Sequence, residues 1–269
     1  MSYTVIGSSG FIGAALATRL HASGEDVYLP ARGAPDLFSR PLGRVIYAAG
    51  VTADFRTRPF DTLRANTGLL ADVLENGDFE SLLYLSSARI YRHAESSRED
   101  AAIALKPADP EDLYDLTKLT AEALCKACGR GGVRVARLSN VVGSDFRSKS
   151  FLYELIRGAC DLGEIVLRSS PQSTKDYVLL DDVLELLPRI ASAGRHACYN
   201  LGSGRNTTHG EILEAVVAGT GARWRVADDA PTVSSRPIDI DRLRAEFGYR
   251  PSPVLEYLPQ LIAAYRKHA

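Results

Sequence analysis

The segment YDLTK places Tyr114 and Lys118 four residues apart, a spacing that returns to the same face of a helix. A lysine ammonium near a phenol stabilises the phenolate and draws the tyrosine pKa down from about 10. Such a tyrosine can give a proton to a carbonyl oxygen or take one from an alcohol. The same spacing also occurs as an ordinary surface pair, so its meaning depends on what the rest of the chain supplies.

One partner is the stretch YTVIGSSGFIG, in which Gly7, Gly10 and Gly13 lie between an apolar run and an amphipathic pattern. On a strand–turn–helix unit the first glycine permits the tight turn, the second the approach of a pyrophosphate to the backbone, and the third close packing of helix on sheet. Unpaired N–H groups at the helix start then face the phosphates, with Ser9, Phe11 and Ile12 completing the turn. The alternative is a purely structural glycine turn. After the following strand, DVYLPARGA has no acid where a ribose 2′-hydroxyl would be read, and Arg32 stands there instead. A guanidinium suits a 2′-phosphate, which favours NADP over NAD; the competing reading is a solvated loop arginine.

These groups need a scaffold, and the pattern provides one. Apolar strands (YTVIG, DVYLP, RVIYAAG, SLLYLSS, VRVARLS, ACYNLGSG) alternate with helical stretches, which indicates a parallel sheet covered on both faces. RPFDTLRANTGLLADVLENG reads as one long helix burying Leu63, Leu69, Leu70, Val73 and Leu74. Asp109, Pro110, Glu111 and Asp112 form a strong start signal for the helix that carries Tyr114. Only ARGAPDLFSRPLG separates the second strand from the third, too short for a helix, strand and helix, so the sheet is expected to have a shortened edge. The dinucleotide-binding domain is expected over residues 1–143 plus about 177–203, and a substrate lobe over 144–176 and 204–269.

Composition sets limits. The chain has 269 residues, 45% hydrophobic and 24% charged, with a net charge of −1, so no bulk field attracts nucleic acid or an anionic membrane. No apolar run reaches the roughly 20 residues of a membrane span and no leader pattern is evident; a cytoplasmic protein is expected. Cys125 and Cys128 lie within a helical pattern without a second pair, and the histidines show no metal-ligand spacing, so no metal is expected.

The order of these blocks resembles the extended, nucleotide-sugar-modifying branch of the short-chain dehydrogenase/reductase family along nearly the whole chain. GSSGFIG resembles the cofactor turn, VIYAAG the strand ending in Ala48, Ala49 and Gly50 beside the cofactor, and RANTGLL the helix bearing a cofactor-side asparagine, Asn66. YLSSARIY resembles the strand that carries the catalytic hydroxyl, placed at Ser87. RLSNVVG, TKDYVLLDDV and SRPIDIDRLRAEFGYRP are similar to the substrate blocks, which implies phosphate or sugar contacts at Asn140, Lys175 and Arg236. The resemblance implies an α/β fold with a Rossmann-type doubly wound sheet and a smaller mixed C-terminal lobe. It also implies a catalytic Ser87, Tyr114 and Lys118, an NADP or NAD cofactor, a nucleotide-sugar substrate, and a homodimer formed by the helix near 57–76 and the Tyr114-bearing helix.

The chain departs from the family in two places: after the short segment that follows Arg32 it has no equivalent of the aspartate that often contacts adenine, and it lacks the acids of a dehydratase. Dehydratases place acids directly after the catalytic hydroxyl, where this chain has Ala88 and Arg89, which disfavours dehydration. Arg89 is either a substrate contact or a solvated arginine; His93 is either an auxiliary acid/base or a loop residue. The expected activity is NADPH-dependent reduction of a 4-keto-deoxysugar nucleotide. An epimerase with retained NAD is the alternative, and a catalytically silent cofactor sensor the third reading.

Overall fold

The computed structural model describes residues 2–52, 54–148 and 150–268. The elements run β1 (Ser2–Ile6), α1 (Phe11–Ala22), β2 (Asp26–Tyr28), β3 (Pro41–Tyr47), α2 (Pro59–Leu63), α3 (Leu69–Asn76), β4 (Asp78–Ser87), α4 (Leu113–Ala127), β5 (Val133–Leu138) and β6 (Asn140–Val142). They continue with α5 (Phe151–Arg157), β7 (Glu164–Leu167), β8 (Thr174–Leu179), α6 (Leu180–Ala193), β9 (Cys198–Leu201), β10 (Asn206–Thr208), α7 (His209–Thr220), β11 (Arg223–Val226), α8 (Asp241–Phe247) and α9 (Val254–His268).

Six parallel strands form the main sheet in the order β2-β1-β3-β4-β5-β9. The order reverses between β1 and β3, and the crevice at the carboxyl ends of such a pair is where ligands bind in open α/β sheets. The shortened edge is present: β2 has three residues and ends the sheet. Residues 29–40 form turns folded back on β2, tied by the Tyr28 hydroxyl donating to Asp36 Oδ1 at 2.7 Å and by Arg40 stacked 4.0 Å over the Tyr28 ring.

Both faces of the sheet are covered. One core joins Val5, Leu16, Leu83 and Ala136 to Val183 and Leu187 of α6, and also takes in Ile238, Ile240 and Leu243 at the start of α8. The other joins Tyr47, Leu82 and Tyr84 to Leu70 and Val73 of α3 and Ala121 of α4. Burying each such large apolar side chain contributes about 1.5–3 kcal/mol. A third core, with Leu152, Ile156, Leu213, Leu258 and Ile262, belongs to the lobe built on β6–β8–β10 and β7–β11.

The long helix expected near residues 58–76 is continuous but irregular: a π-helical segment, Arg64–Gly68, joins α2 to α3. Leu70, Val73 and Leu74 are buried and Leu69 is partly so, but Leu63 is half exposed, as is much of Phe60. The inward positions are taken by Thr62 of α2 and by Asn66 and Thr67 of the π segment, so the apolar periodicity read through Leu63 pointed to the wrong face there. Among the described residues no helix is long and apolar enough to cross a membrane.

Candidate active site

The glycine turn leaves β1 at the reversal point. Gly7 has φ +90°, and a Cβ on it would sit 2.5 Å from Ala49 N. A Cβ on Gly13 would sit 2.2 Å from the Gly7 carbonyl oxygen. The turn packs against the end of β3 and the helix packs against the turn, so both positions require glycine. Gly10 differs. Its backbone (φ −82°, ψ 168°) is open to any residue, and the nearest neighbour of a Cβ would be Gly7 O at 3.4 Å. Nothing within the chain demands glycine there, whereas a ligand approaching the backbone would.

Gly10 is also the N-cap of α1, without a side-chain cap and without an acid in the first turn. The N–H groups of Phe11, Ile12 and Gly13 therefore start the helix with no intrahelical acceptor, beside the exposed Ser9. The positive end of a helix with an open backbone suits a diphosphate, so these residues fit a dinucleotide. Arg32 lies exposed in the loop after β2.

The candidate catalytic groups meet at the carboxyl end of β4. Ser87 ends that strand and caps a 3-10 turn, Ala88–His93, its Oγ accepting from Arg89 N at 3.2 Å. Asp109 caps the short 3-10 turn before α4, as expected, and α4 then presents Tyr114 and Lys118 inward, 3% and 4% exposed. The Ser87 hydroxyl lies close enough to Tyr114 to act on its phenol. Lys118 Nζ donates to Leu85 O at 2.9 Å and lies 5.8 Å from the Tyr114 ring centre. Asn66 donates from Nδ2 to Thr117 Oγ1 at 2.9 Å, while its buried Oδ1 has no partner. A Cβ on Gly50 would lie 2.8 Å from that Oδ1 and 3.5 Å from Lys118 Nζ, which places the end of β3, Asn66 and Lys118 at one point.

The electrostatics differ from expectation. Burial pushes the Tyr114 phenol up to about 12, with the Ser87 hydroxyl and the Arg89 charge working against it and Asp115 with it. Burial also draws Lys118 down to about 7. The lysine thus does not pull the tyrosine toward neutral pH here, because its own charge is weakened by the same desolvation.

Arg89 is held rather than free. Nε donates to Asp115 Oδ2 at 3.3 Å, and Nη2 donates to Glu111 O at 2.8 Å and to Glu111 Oε2 at 3.2 Å. Phe55 lies against both the Tyr114 ring, at 5.6 Å, and the Arg89 guanidinium, at 5.2 Å, and Arg56 pairs with Glu111. His93 faces Asp112, but the Arg92 guanidinium and the Lys106 N–H already occupy that carboxylate.

The proposed substrate residues divide. Asn140 and Lys175 line one small cavity with Phe151 and Tyr177. Asn140 Nδ2 donates to Asp176 O at 2.8 Å, and burial lowers Lys175, which also feels the Arg89 charge. Arg236 lies apart, donating to Ala94 O at 2.9 Å and lining a separate cavity of about 420 Å³ with Arg244 and Gly204. Sequence reasoning missed Phe55, Thr117 and Glu122. For Glu122 a signal existed: it continues the four-residue spacing of Tyr114 and Lys118.

The chain belongs to the NAD dependent epimerase/dehydratase family, which matches residues 3–202. It is 24% identical to dTDP-glucose 4,6-dehydratase of Streptomyces griseus over 75% of this chain and 63% of that protein, and so spans less than two-thirds of that relative. It is 26% identical to dTDP-6-deoxy-L-talose 4-dehydrogenase (NAD(P)(+)) of Kitasatospora kifunensis, over 93% of this chain and 91% of that one. The solved structure of MoeE5 in complex with UDP-glucose and NAD has the same fold, with a TM-score of 0.85 at 22% identity over 100% of this chain and 99% of that one.

Proposed function

We propose that the protein is an NADPH-dependent reductase of a nucleotide-linked keto-deoxysugar, with Tyr114 as the general acid. The observation that carries this reading is the meeting of Ser87, Tyr114 and Lys118 at the end of β4, with Tyr114 holding its proton up to about pH 12. A phenol that keeps its proton suits the reductive direction, in which an oxygen gains charge and must be protonated. NADPH, when bound at the glycine turn, supplies the hydride. Ser87 Oγ accepts from Arg89 N, and its hydroxyl, directed at Tyr114 without substrate, turns to the substrate oxygen as charge develops. Lys118 and Asn66 hold the reacting end in place. Ala88 and Arg89 stand where a dehydratase would use acids. Arg32 supports NADP as the dinucleotide, and the exposed Phe60 and Leu63 of α2 support a dimer face on that helix.

The test is NADPH consumption at 340 nm with a panel of dTDP-, UDP-, GDP- and CDP-linked 4-keto sugars. Tyr114→Phe is expected to lower turnover by about three orders of magnitude, the scale of a lost general acid, while NADPH still binds. Conversion of a sugar nucleotide with no net NADPH loss would replace the reductase with an epimerase, and full activity of Tyr114→Phe would remove Tyr114 from the proton transfer.

A further inference from the structure

The face of α4 that carries Tyr114 and Lys118 continues to Glu122, and this third position is built into the same strand end. Three inward residues spaced by four meet three consecutive residues of β4: Tyr114 meets Ser87, Lys118 donates to Leu85 O, and Glu122 accepts from Ser86 Oγ at 2.5 Å. Glu122 is in turn gripped from β5. Arg137 donates from Nε to both Glu122 oxygens at 3.1 Å and from Nη2 to Oε2 at 2.6 Å. The Arg137 and Glu122 side chains are 8% and 10% exposed. Arg137 Nη1 donates to the Tyr91 hydroxyl at 2.6 Å, and that hydroxyl donates to Asn200 Oδ1 at 2.8 Å.

A buried ion pair of this kind is poor value for stability, since apolar replacements of equal volume often do as well. Set one helical turn from Lys118, this pair can do more than hold the fold. Resting on the reductase reading above, we propose that Glu122 is a positioning residue: clamped by Ser86 and Arg137, it fixes α4 on the last three residues of β4 and faces the Lys118 ammonium with a fixed negative charge. The groups around Lys118 are the Tyr84 ring at 4.9 Å from β4, the Tyr114 ring at 5.8 Å, Asn66 from the π segment beside Gly50, and Glu122 on its own helix. Glu122 is the charge that opposes the loss of the Lys118 proton to burial. Behind Glu122 stands Arg137 from β5, a charge of opposite sign that Glu122→Gln would leave without its carboxylate.

The consequence has a definite sign. Lys118 titrates near 7 in the folded chain against 10.5 unfolded. Between those values the unfolded chain holds the extra proton, so the contribution of Lys118 to stability rises with pH across that window and is lowest below it. Removing the Glu122 charge lowers the folded value further and widens the window at its acid end.

The experiment is a pair of pH series, thermal melting and NADPH affinity, on wild type, Glu122→Gln, Lys118→Met and the double variant. The difference in melting temperature between wild type and Lys118→Met is expected to be flat below about pH 7 and to rise from there toward 10.5. In the Glu122→Gln background the onset of that rise, which is the Lys118 midpoint in the folded chain, should come about one pH unit lower, and the pH series for NADPH affinity should shift with it. Ser86→Ala, which loosens the clamp without removing charge, should lower turnover and leave the midpoint in place. Glu122→Asp should restore the midpoint. If Glu122→Gln lowers stability equally at every pH and leaves the Lys118 midpoint unmoved, Glu122 is a packing group and the proposal fails. The melting series needs no sugar substrate, so failure to find one would count against the reductase reading and not against this one.

Discussion

Gly10 is the position at which fold and ligand make opposite demands, and alanine there separates them. A Cβ on Gly10 has one neighbour, Gly7 O at 3.4 Å, and the backbone already sits at φ −82°. Reducing the freedom of the unfolded chain stabilises by about 0.4–1 kcal/mol. Alanine is a poorer N-cap than glycine by a similar amount. The two offset, so Gly10→Ala should melt within about 3 °C of wild type, given about 2–4 °C for each kcal/mol in chains of roughly this length. The added methyl projects where a diphosphate must come close to the start of α1. Each charge-assisted hydrogen bond it displaces is worth about 1.5–3 kcal/mol, so NADPH affinity should fall about 10- to 150-fold. Gly13→Ala supplies the contrast. Its Cβ would lie 2.2 Å from a backbone oxygen, and overpacking of about 1–3 kcal/mol or more exceeds the gain of about 1 kcal/mol from helix propensity. That variant should lose several degrees of melting temperature. Calorimetric titration with NADPH and thermal melts of both variants decide the matter. Wild-type NADPH affinity in Gly10→Ala, or a loss of stability matching that of Gly13→Ala, would refute the reasoning.

Arg32→Asp should weaken NADPH about tenfold or more and change NADH affinity little; an unaltered ratio in a two-cofactor titration would remove Arg32 from the site. His209, stacked 3.7 Å from Phe151 and drawn down to about 4 by burial, binds a proton in the unfolded chain below about 6.5 before it does so folded. Stability should therefore fall as pH drops from about 6.5 toward 4, and melting curves of His209→Gln should show a shallower fall across that range. On the dimer proposed through α2, Leu63→Glu on its exposed side should lower the sedimentation coefficient to that of a monomer; an unchanged coefficient would remove α2 from any interface.

Much of this was legible in the chain because local rules agreed with the fold. The strand–turn–helix glycines, the Asp109 start signal and the length between DVYLP and RVIYAAG each report a local constraint, and each is present as read. Burial is not local, and that is where reading fell short. The ionisation of Tyr114 depends on how completely β4 and the Phe55 ring cover it, which a spacing of four residues does not encode. Leu63 follows the helical period, yet Thr62 takes the inward place. Arg236 and Lys175 are similar as motif residues, but they line different cavities.

The π segment at Arg64–Gly68 has one further effect. Thr62, Asn66, Leu70 and Leu74 all point inward, each four residues after the last. At about 100° per residue on a regular α-helix, that spacing slips by about 40° a step and would leave Thr62 and Leu74 about 120° out of phase. The surplus residue of a π turn takes up most of the slip and keeps the inner edge aligned. Deleting a single residue there would restore the α-helical register and rotate everything before it by about 100°, carrying the Phe55 approach away from Tyr114. The alignment of the pocket wall therefore depends on a helix one residue longer than its path requires.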